Sequence, residues 1–198
     1  MIHLLITTAN IPQAYLFRKQ QYINSINSCL IHHHLFDSYT ILECYSKSEE
    51  YFNPYSTYYS KEGNTFLNKG LNEMSHIKSY LNQSNLSDND IIIKLSGRYI
   101  LEDNYFFEKV FTKSSQYDSF FKDDSDIYVG KGYHTFFYAI KKYLLLEIIN
   151  YLDFSSSNEV PIEWDFKNYL HRAENNLEVD RLNLIAYQGT YSEKIFRC

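Results

Sequence analysis

The sequence is poor in the residues that cross-link or interrupt a chain. Its 198 residues include only 3 cysteines, 3 prolines and 6 glycines. The cysteines, Cys29, Cys44 and Cys198, have no metal-ligand spacing and no even number for a disulfide framework, which indicates a reducing compartment. The N-terminus lacks the apolar core and basic flank of a signal peptide, and no apolar run is long enough to span a membrane. We therefore expect a cytoplasmic protein, or a domain cut from a longer one.

Basic blocks are also missing. The formal net charge is −5, and no cluster of lysines and arginines stands out, which argues against a nucleic-acid partner. Aromatic residues, in contrast, are abundant: 20 tyrosines and 14 phenylalanines predict aromatic-lined surfaces in addition to an aromatic core. With 44% hydrophobic residues, the chain can bury a sizeable core, and we expect a single globular domain over residues 1–198.

Short apolar runs alternate with segments of helical periodicity along the chain. The chain begins strand, helix, strand, which implies parallel strands joined by a right-handed crossover. Asp103 is a candidate cap for a helix that follows it. Strands are expected at 3–6, 38–44, 91–93, 119–121, 127–129, 135–140 and 182–186, and helices at 15–31, 68–81, 104–111, 141–152 and 162–171. The alternation predicts the α/β class.

The most informative strand is the run of isoleucines at 91–93, whose residues are typical of a strand buried on both faces. It leads directly into Lys94, Ser96, Gly97 and Arg98. Because ligands of open α/β sheets bind beyond the carboxyl ends of the strands, this polar end is a candidate ligand site. A core strand followed by a turn, with both cations solvated, is the alternative.

Two other patterns resemble metal sites at first sight. The triple histidine at 32–34 is better explained as a solvated helix end, since adjacent side chains point in different directions. An Asp-x-Asp pattern at 88–90 precedes its strand and so lies at the wrong edge of the sheet. A second such pattern, Asp124 and Asp126, lies in a charged turn; a solvated loop is the favoured interpretation, with a divalent-ion site as the alternative.

Two predicted helix starts carry charged groups that suit a binding site. Lys69 and Asn72 flank a glycine at the entrance of the second helix, where free N–H groups can bind phosphate. Glu73 follows them and is equally well explained as compensation of the helix dipole. Glu163 and Asp165 flank the only tryptophan at a later helix start. They are either ordinary first-turn acids or a general base beside an aromatic platform.

The order of these features resembles a small GT-A-type glycosyltransferase. The segment 68–99, with its Lys-x-x-Gly-Arg-Tyr motif at 94–99, is similar to a divergent group of short glycosyltransferases from bacteria and large DNA viruses, among them the N-terminal domain of a multidomain chlorovirus enzyme. The resemblance implies a Rossmann-like α/β fold with a mixed, mainly parallel sheet flanked by helices. It also implies a donor half at 1–100 and an acceptor and catalytic half at 101–198.

The resemblance further implies a nucleoside-diphosphate sugar as donor, with UDP favoured, a glycan or other hydroxyl acceptor, and further glycosyltransferase domains as candidate partners. The implied donor contacts are Thr7, Thr8, Ala9, Asn10, Arg18, Glu43, Lys69, Asn72, Lys94, Ser96, Gly97 and Arg98. The implied acceptor contacts are Tyr99, His134 and Trp164. Glu163 or Asp165 falls where inverting members carry their base.

Metal use is left open by one departure from the family pattern. Where the family usually has Asp-x-Asp at the end of the strand that corresponds to 91–93, this chain has Ser96, Gly97 and Arg98. Either Lys94 and Arg98 replace Mn²⁺ or Mg²⁺ as fixed positive charge, or a residue of the turn at 124–126 supplies a ligand. The alternatives to a glycosyltransferase are a non-catalytic nucleotide- or carbohydrate-binding domain and a nucleotidyltransferase, which the lack of glycines at 7–10 disfavours.

Overall fold

The computed structural model of the protein describes residues 1–124, 131–155, 159–187 and 195–197. Its strands are β1 (Ile2–Thr8), β2 (Ser38–Glu43), β3 (Thr57–Tyr59), β4 (Ile91–Ser96), β5 (Tyr99–Leu101), β6 (Ser119–Phe121), β7 (Phe137–Lys141), β8 (Asn176–Glu178), β9 (Leu184–Tyr187) and β10 (Ile195–Arg197). Its α-helices are α1 (Tyr15–Leu30), α2 (Lys69–Gln83), α3 (Tyr105–Lys113), α4 (Lys142–Tyr151) and α5 (Ile162–Leu170). Within these residues, none of the helices is both long enough and apolar enough to cross a membrane.

Seven strands form the central sheet, in the order β3-β2-β1-β4-β7-β6-β8. The four strands from β3 to β4 are parallel, β7 is antiparallel to both of its neighbours, and β8 is parallel to β6. This confirms the predicted α/β class with a mixed, mainly parallel sheet. A second, antiparallel sheet has the order β10-β9-β5.

Strand β4 lies at the centre because its isoleucines are buried on both faces. Ile91 and Ile93 pack in the cluster that contains Tyr22 and Ile26 of α1, and Ile92 packs in the cluster of α2 and α4. Burying one such side chain contributes roughly 1.5–3 kcal/mol. Since side chains alternate along a strand, the even-numbered residues that follow continue onto the α2 face.

The predicted elements are confirmed, with ends shifted by a few residues, wherever the structure describes them. The predicted strand at 135–140 begins later, at Phe137, and ends at Lys141. Asp103 does accept a hydrogen bond from the N–H of Tyr105, at 2.9 Å, although Asn104 is the residue at the cap position of α3. The strand predicted at 127–129 lies outside the described residues. Strands β3, β5, β8 and β10 were not predicted, because three-residue segments have too little periodicity to detect reliably; β6, of the same length, was predicted.

The N-termini of α2 and α5 meet although they are far apart in sequence. Asn68 donates a hydrogen bond to the carbonyl of Val160 at 2.8 Å. A Cβ atom on Gly70 would lie only 2.8 Å from Cδ1 of Ile162, so glycine allows the two helix starts to approach this closely. This contact brings the polar first turns of both helices to the carboxyl edge of the sheet.

Candidate functional site at the carboxyl edge of the sheet

A cleft of about 1300 Å³ opens where β1 and β4 end and where α2 and α5 begin. This is the edge at which open α/β sheets bind ligands. Most of the residues predicted to form the site line it. They are Thr7, Thr8, Ala9, Arg18, Lys69, Asn72, Ser96, Gly97, Arg98, Tyr99, His134 and Glu163. The other predicted residues lie below the floor, elsewhere in the protein or outside the described residues.

Glu43 and Asn10 lie beneath the cleft, and they hold its loops in place. The Glu43 carboxylate is fully buried and accepts hydrogen bonds from the Thr8 hydroxyl at 2.7 Å and the Asn10 side-chain amide at 2.9 Å. It also accepts from the backbone N–H groups of Asn10, Tyr45 and Ser46. The Asn10 amide oxygen accepts from the hydroxyl of Tyr51 at 2.7 Å. Both side chains are thus fully engaged within the protein, in contrast to the predicted direct ligand contact.

Arg18 is held against the cleft wall by the loop that follows β1. Its Nη1 donates to the carbonyl of Ala9 at 3.1 Å and to the hydroxyl of Tyr22 at 3.2 Å. Tyr22 in turn donates to the Ala9 carbonyl at 2.9 Å, and burial raises the pKa of its hydroxyl, so that the hydroxyl stays protonated at neutral pH. A cation is therefore fixed at the α1 side of the cleft.

Gly97 allows the end of β4 to pack against the end of β1. Its N–H donates to the carbonyl of Thr7 at 2.8 Å. A Cβ atom at this position would lie 2.9 Å from Cγ2 of Thr8 and 3.1 Å from both the Thr7 carbonyl oxygen and Cδ1 of Tyr22. The predicted site residue therefore has a steric role in shaping the floor of the cleft.

We expect Gly97→Ala to lower the free energy of unfolding by about 1–3 kcal/mol, because the added methyl group overpacks this junction. Urea unfolding followed by circular dichroism measures the change. Gly63→Ala is the matched control: its Cβ would meet only Cγ2 of Thr65, at 3.3 Å, on an exposed loop. Equal stabilities of the two variants would contradict the steric role of Gly97.

Lys94 lies under the floor of the cleft and is fully buried. Its ammonium contacts Oε1 of Glu73 at 2.9 Å and donates to the Ser96 hydroxyl and the Thr135 carbonyl, each at 2.8 Å. The pleat of β4 turns Lys94 toward α2, and α2 supplies the carboxylate. Lys94, predicted to contact a donor, is therefore not among the residues that line the cleft; its ammonium is paired with Glu73 and Ser96, which do line it.

Glu73 was missed as a site residue, although one signal pointed to it. A lysine that directly follows a doubly buried strand needs an opposite charge nearby, because an unpaired buried charge is very unfavourable. The helix that precedes β4 in sequence carries Glu73 in its second turn. Sequence spacing alone did not show that this glutamate faces the sheet.

The remaining cations near the end of β4 are Lys69 and Arg98. Arg98 is half-buried and lines the cleft, and its side chain makes no hydrogen bond or ion pair with any residue that the structure describes. Lys69 is exposed at the start of α2. The nearby Asn72 side chain is hydrogen-bonded within the protein: its amide oxygen accepts from the Phe66 N–H at 2.9 Å, and its amide nitrogen donates to the Phe66 carbonyl at 2.7 Å. Arg98 is thus available to an anionic ligand.

Glu163 forms the wall of the cleft on the β7 side. Its Oε1 accepts a hydrogen bond from the Thr135 hydroxyl at 2.8 Å. Asp165 is not among the lining residues, because positions two apart on a helix lie about 200° apart around its axis. Burial, and then the nearby Asp153, raise the pKa of Asp165. Of the two predicted bases, only Glu163 lines the cleft.

Aromatic side chains complete this wall. Tyr99 stacks on Phe136 with ring centroids 4.5 Å apart, and the ring of His134 lies 4.6 Å from the same phenylalanine. Trp164, predicted to contact an acceptor, is 37% exposed outside the lining residues, and the Lys131 ammonium lies 5.3 Å from its ring. The cleft therefore has an aromatic platform without the tryptophan.

The described residues do not assemble a set of metal ligands. Among them, no group of three or more histidines, cysteines, aspartates and glutamates could hold a metal ion. Asp124 is buried, and its Oδ1 has no hydrogen-bond partner there, so it offers one ligand atom outside the cleft lining. Asp126 lies outside the described residues. The histidines at 32–34 are exposed or half-exposed, as predicted for a solvated helix end.

No protein-family model matches the sequence, and no curated protein matches it. Solved structures do resemble the fold. One, from Desulfovibrio desulfuricans G20, is assigned as a nucleotide-diphospho-sugar transferase and has a TM-score of 0.58 and 12% identity, over 90% of this chain and 79% of that chain. Another, from Bacillus anthracis, is assigned as a glucose-1-phosphate thymidylyltransferase, with a TM-score of 0.59 and 11% identity over 91% and 87%.

Residues 1–349 of TarS from S. aureus are a third similar structure, with a TM-score of 0.59 and 10% identity over 93% of this chain and 60% of that chain. At such low identity the likeness establishes the fold alone. The fold is the α/β fold of nucleotide-sugar transferases, of the GT-A-like type.

Proposed function

We propose that this chain is a glycosyltransferase that moves a sugar from a nucleoside-diphosphate sugar, with UDP favoured, to a hydroxyl of a glycan or another acceptor. One observation carries the proposal. A single cleft at the carboxyl edge combines the cations Arg18, Lys69 and Arg98 with the carboxylate of Glu163 and an aromatic platform. Cations suit a diphosphate leaving group, and aromatic faces suit a sugar ring.

In this proposal the two halves of the chain have different tasks. Residues 1–100 hold the donor, with Thr7, Thr8 and Ala9 against the nucleoside and Arg98 against the diphosphate. Residues 101–198 bind the acceptor and carry the base. Support comes from the lining of the cleft, to which both halves contribute. A cytoplasmic location, attached glycosyltransferase domains, a role in glycan biosynthesis and the likeness to viral and bacterial enzymes all remain predictions.

The proposed reaction is a single displacement with inversion. Glu163 takes the proton of the acceptor hydroxyl while the hydroxyl oxygen forms a bond to the anomeric carbon. The bond from that carbon to the diphosphate oxygen breaks, and the nucleoside diphosphate leaves with the electron pair. Arg98 stabilises the charge that develops on the leaving group. The Thr135 hydroxyl orients the Glu163 carboxylate through its hydrogen bond at 2.8 Å.

The proposal leaves metal use to experiment. Among the described residues, Asp124 supplies one buried carboxylate oxygen without a hydrogen-bond partner rather than a ligand set, so no step is derived through a metal. Lys94 contributes a fixed positive charge just beneath the floor, although Glu73 balances that charge. The hypothesis that a side-chain cation takes the place of the metal, here called the cation-for-metal hypothesis, therefore now depends on Arg98.

The test is a panel of UDP-, GDP- and TDP-sugars assayed for transfer and hydrolysis, with Mn²⁺, with Mg²⁺ and with EDTA. We expect at least one donor to be turned over with inversion at the anomeric carbon, as measured by NMR. Arg98→Ala should lower turnover about 10²- to 10³-fold, the loss expected for one charge-stabilising donor. Arg172→Ala, an exposed arginine outside the cleft, is the matched control.

The other outcomes discriminate between classes of function. Binding without turnover of any donor would support a non-catalytic binding domain. Release of pyrophosphate from a nucleoside triphosphate and a sugar phosphate would support a nucleotidyltransferase. If no nucleotide sugar is bound or turned over, the proposal is wrong. Activity that survives EDTA and is lost in Arg98→Ala would support the cation-for-metal hypothesis, whereas loss in Asp124→Ala alone would support a metal.

A further inference from the structure

Glu73 presents an unused acceptor to the cleft. Its Oε1 accepts hydrogen bonds from the Thr7 hydroxyl at 2.5 Å and the Ser96 hydroxyl at 3.4 Å, and it pairs with the Lys94 ammonium at 2.9 Å. Its Oε2 makes no hydrogen bond or ion pair with any residue in the described part of the chain. The side chain is 24% exposed and lines the cleft. One carboxylate oxygen is thus anchored, and the other is open to a ligand.

The surroundings of Glu73 restrict the ligand group that can use this oxygen. A divalent cation is disfavoured, because the buried Lys94 ammonium lies 2.9 Å from the anchored oxygen and would repel it. An ionised phosphate is also disfavoured, since it has no proton to donate. A hydroxyl group donates to a carboxylate with a strong, charge-assisted hydrogen bond. The chemistry therefore selects a polyhydroxylated group.

A chain of hydrogen bonds places this acceptor at the same end of the cleft as Glu163. Lys94 donates to the Thr135 carbonyl at 2.8 Å, and the Thr135 hydroxyl donates to Glu163 at 2.8 Å. Two carboxylates therefore face the cleft on either side of Thr135. In the proposed reaction, the ring of the transferred sugar must lie beside Glu163, since the acceptor hydroxyl is deprotonated there.

We propose that Glu73 binds hydroxyl groups of the donor's sugar ring, and that it thereby selects which sugar is transferred. The Thr7, Lys94 and Ser96 side chains hold the carboxylate in place for this task. The inference rests on the proposed function and extends it, since it assigns sugar recognition to a residue of α2. It also predicts that the affinity for the nucleotide part of the donor does not depend on Glu73.

The test compares binding of UDP-, GDP- and TDP-glucose with binding of UDP, GDP and TDP by isothermal titration calorimetry. Glu73→Gln keeps the shape and the anchored oxygen but removes the charge, and because it also leaves the buried Lys94 ammonium without its counter-charge, some loss of stability accompanies it. We expect it to weaken binding of the nucleotide sugar about 10- to 100-fold, the loss typical of a hydrogen bond to a charged group. Binding of the matching nucleoside diphosphate should stay within about twofold, inside the ordinary variation of such measurements.

Two controls separate this role from a structural one. Glu62→Gln makes the same chemical change on an exposed carboxylate outside the cleft and should alter neither affinity. Deoxyglucose analogues of the donor that binds provide the second control. Wild-type protein should bind one of them more weakly than the parent donor. Glu73→Gln should bind that analogue and the parent donor equally, since the substitution and the missing hydroxyl remove the same hydrogen bond. Retained nucleoside-diphosphate binding shows that the variant is folded.

The outcomes distinguish failure of this inference from failure of the proposed function. If wild-type protein binds neither nucleotide sugars nor nucleoside diphosphates, both are overturned. If it binds both, and Glu73→Gln weakens them equally or leaves both unchanged, sugar recognition by Glu73 is overturned while the proposed function stands. Selective loss of nucleotide-sugar binding supports the inference.

Discussion

Glu163→Gln is expected to lower turnover by about 10²- to 10⁴-fold, the usual contribution of a general base, while binding of the nucleotide sugar changes little. The physical reason is that the amide retains an oxygen for the Thr135 hydroxyl but cannot take a proton from an acceptor. Single-turnover transfer with the donor identified in the panel measures the loss, and calorimetry measures donor binding separately.

Asp165→Asn is the matched control for this prediction. It removes a carboxylate two residues away on the same helix, where the side chain does not line the cleft. Burial and Asp153 raise the pKa of Asp165, which means that its charged form is disfavoured in the folded protein, so loss of the charge should not destabilise the fold. Full activity in Glu163→Gln with loss of activity in Asp165→Asn would mean that Asp165 is the general base. Full activity in both variants would mean that neither residue of α5 is the base.

Lys94→Met is expected to lower the free energy of unfolding by about 1–3 kcal/mol, because buried polar groups lose their hydrogen-bond partner while the partly exposed Glu73 can still be hydrated. Glu73 would lose its cation, and the Thr135 carbonyl and Ser96 hydroxyl would lose their donor. Urea unfolding followed by circular dichroism measures the effect. Lys61→Met, on an exposed loop, should change stability by less than about 0.5 kcal/mol.

A double variant shows whether the pair itself is responsible. Adding Glu73→Gln to Lys94→Met should recover part of the lost stability, because the unpaired carboxylate is removed. Additive losses would mean that the lysine acts through its hydrogen bonds to β4 and to Thr135 instead. A loss below about 1 kcal/mol in the single variant would show that water reaches the ammonium despite its burial.

The fold was largely predictable because its main signals are local. The isoleucine run of β4 and the helical spacing of α1 and α2 need no knowledge of distant residues. Strands β3, β5, β8 and β10 were not predicted, since such short strands form only where a neighbouring strand offers hydrogen bonds. β5, for example, exists through its pairing with β9, more than eighty residues later in the chain.

The site was predictable to the level of the strand ends, but not to the level of side-chain roles. Residues after β1 and β4 had to meet, because adjacent parallel strands end at the same edge. Which of them lines the cleft depends on long-range partners. Glu43 accepts a hydrogen bond from Asn10, and Lys94 forms an ion pair with Glu73. Such pairings depend on the three-dimensional packing of α2 and the loops, which residue types alone do not specify.

The meeting of α2 and α5 has a consequence for recombination between related genes. A crossover near residue 100 would separate the donor half from the acceptor half, yet hydrogen bonds join β4 to β7 and Asn68 to Val160 across that point. A chimera would need residues at positions 70 and 162 that fit together sterically, as Gly70 and Ile162 do here. The boundary that divides the proposed tasks is therefore a poor place to divide the polypeptide, and new sugar specificities should arise more readily by point substitution within the cleft than by exchange of halves.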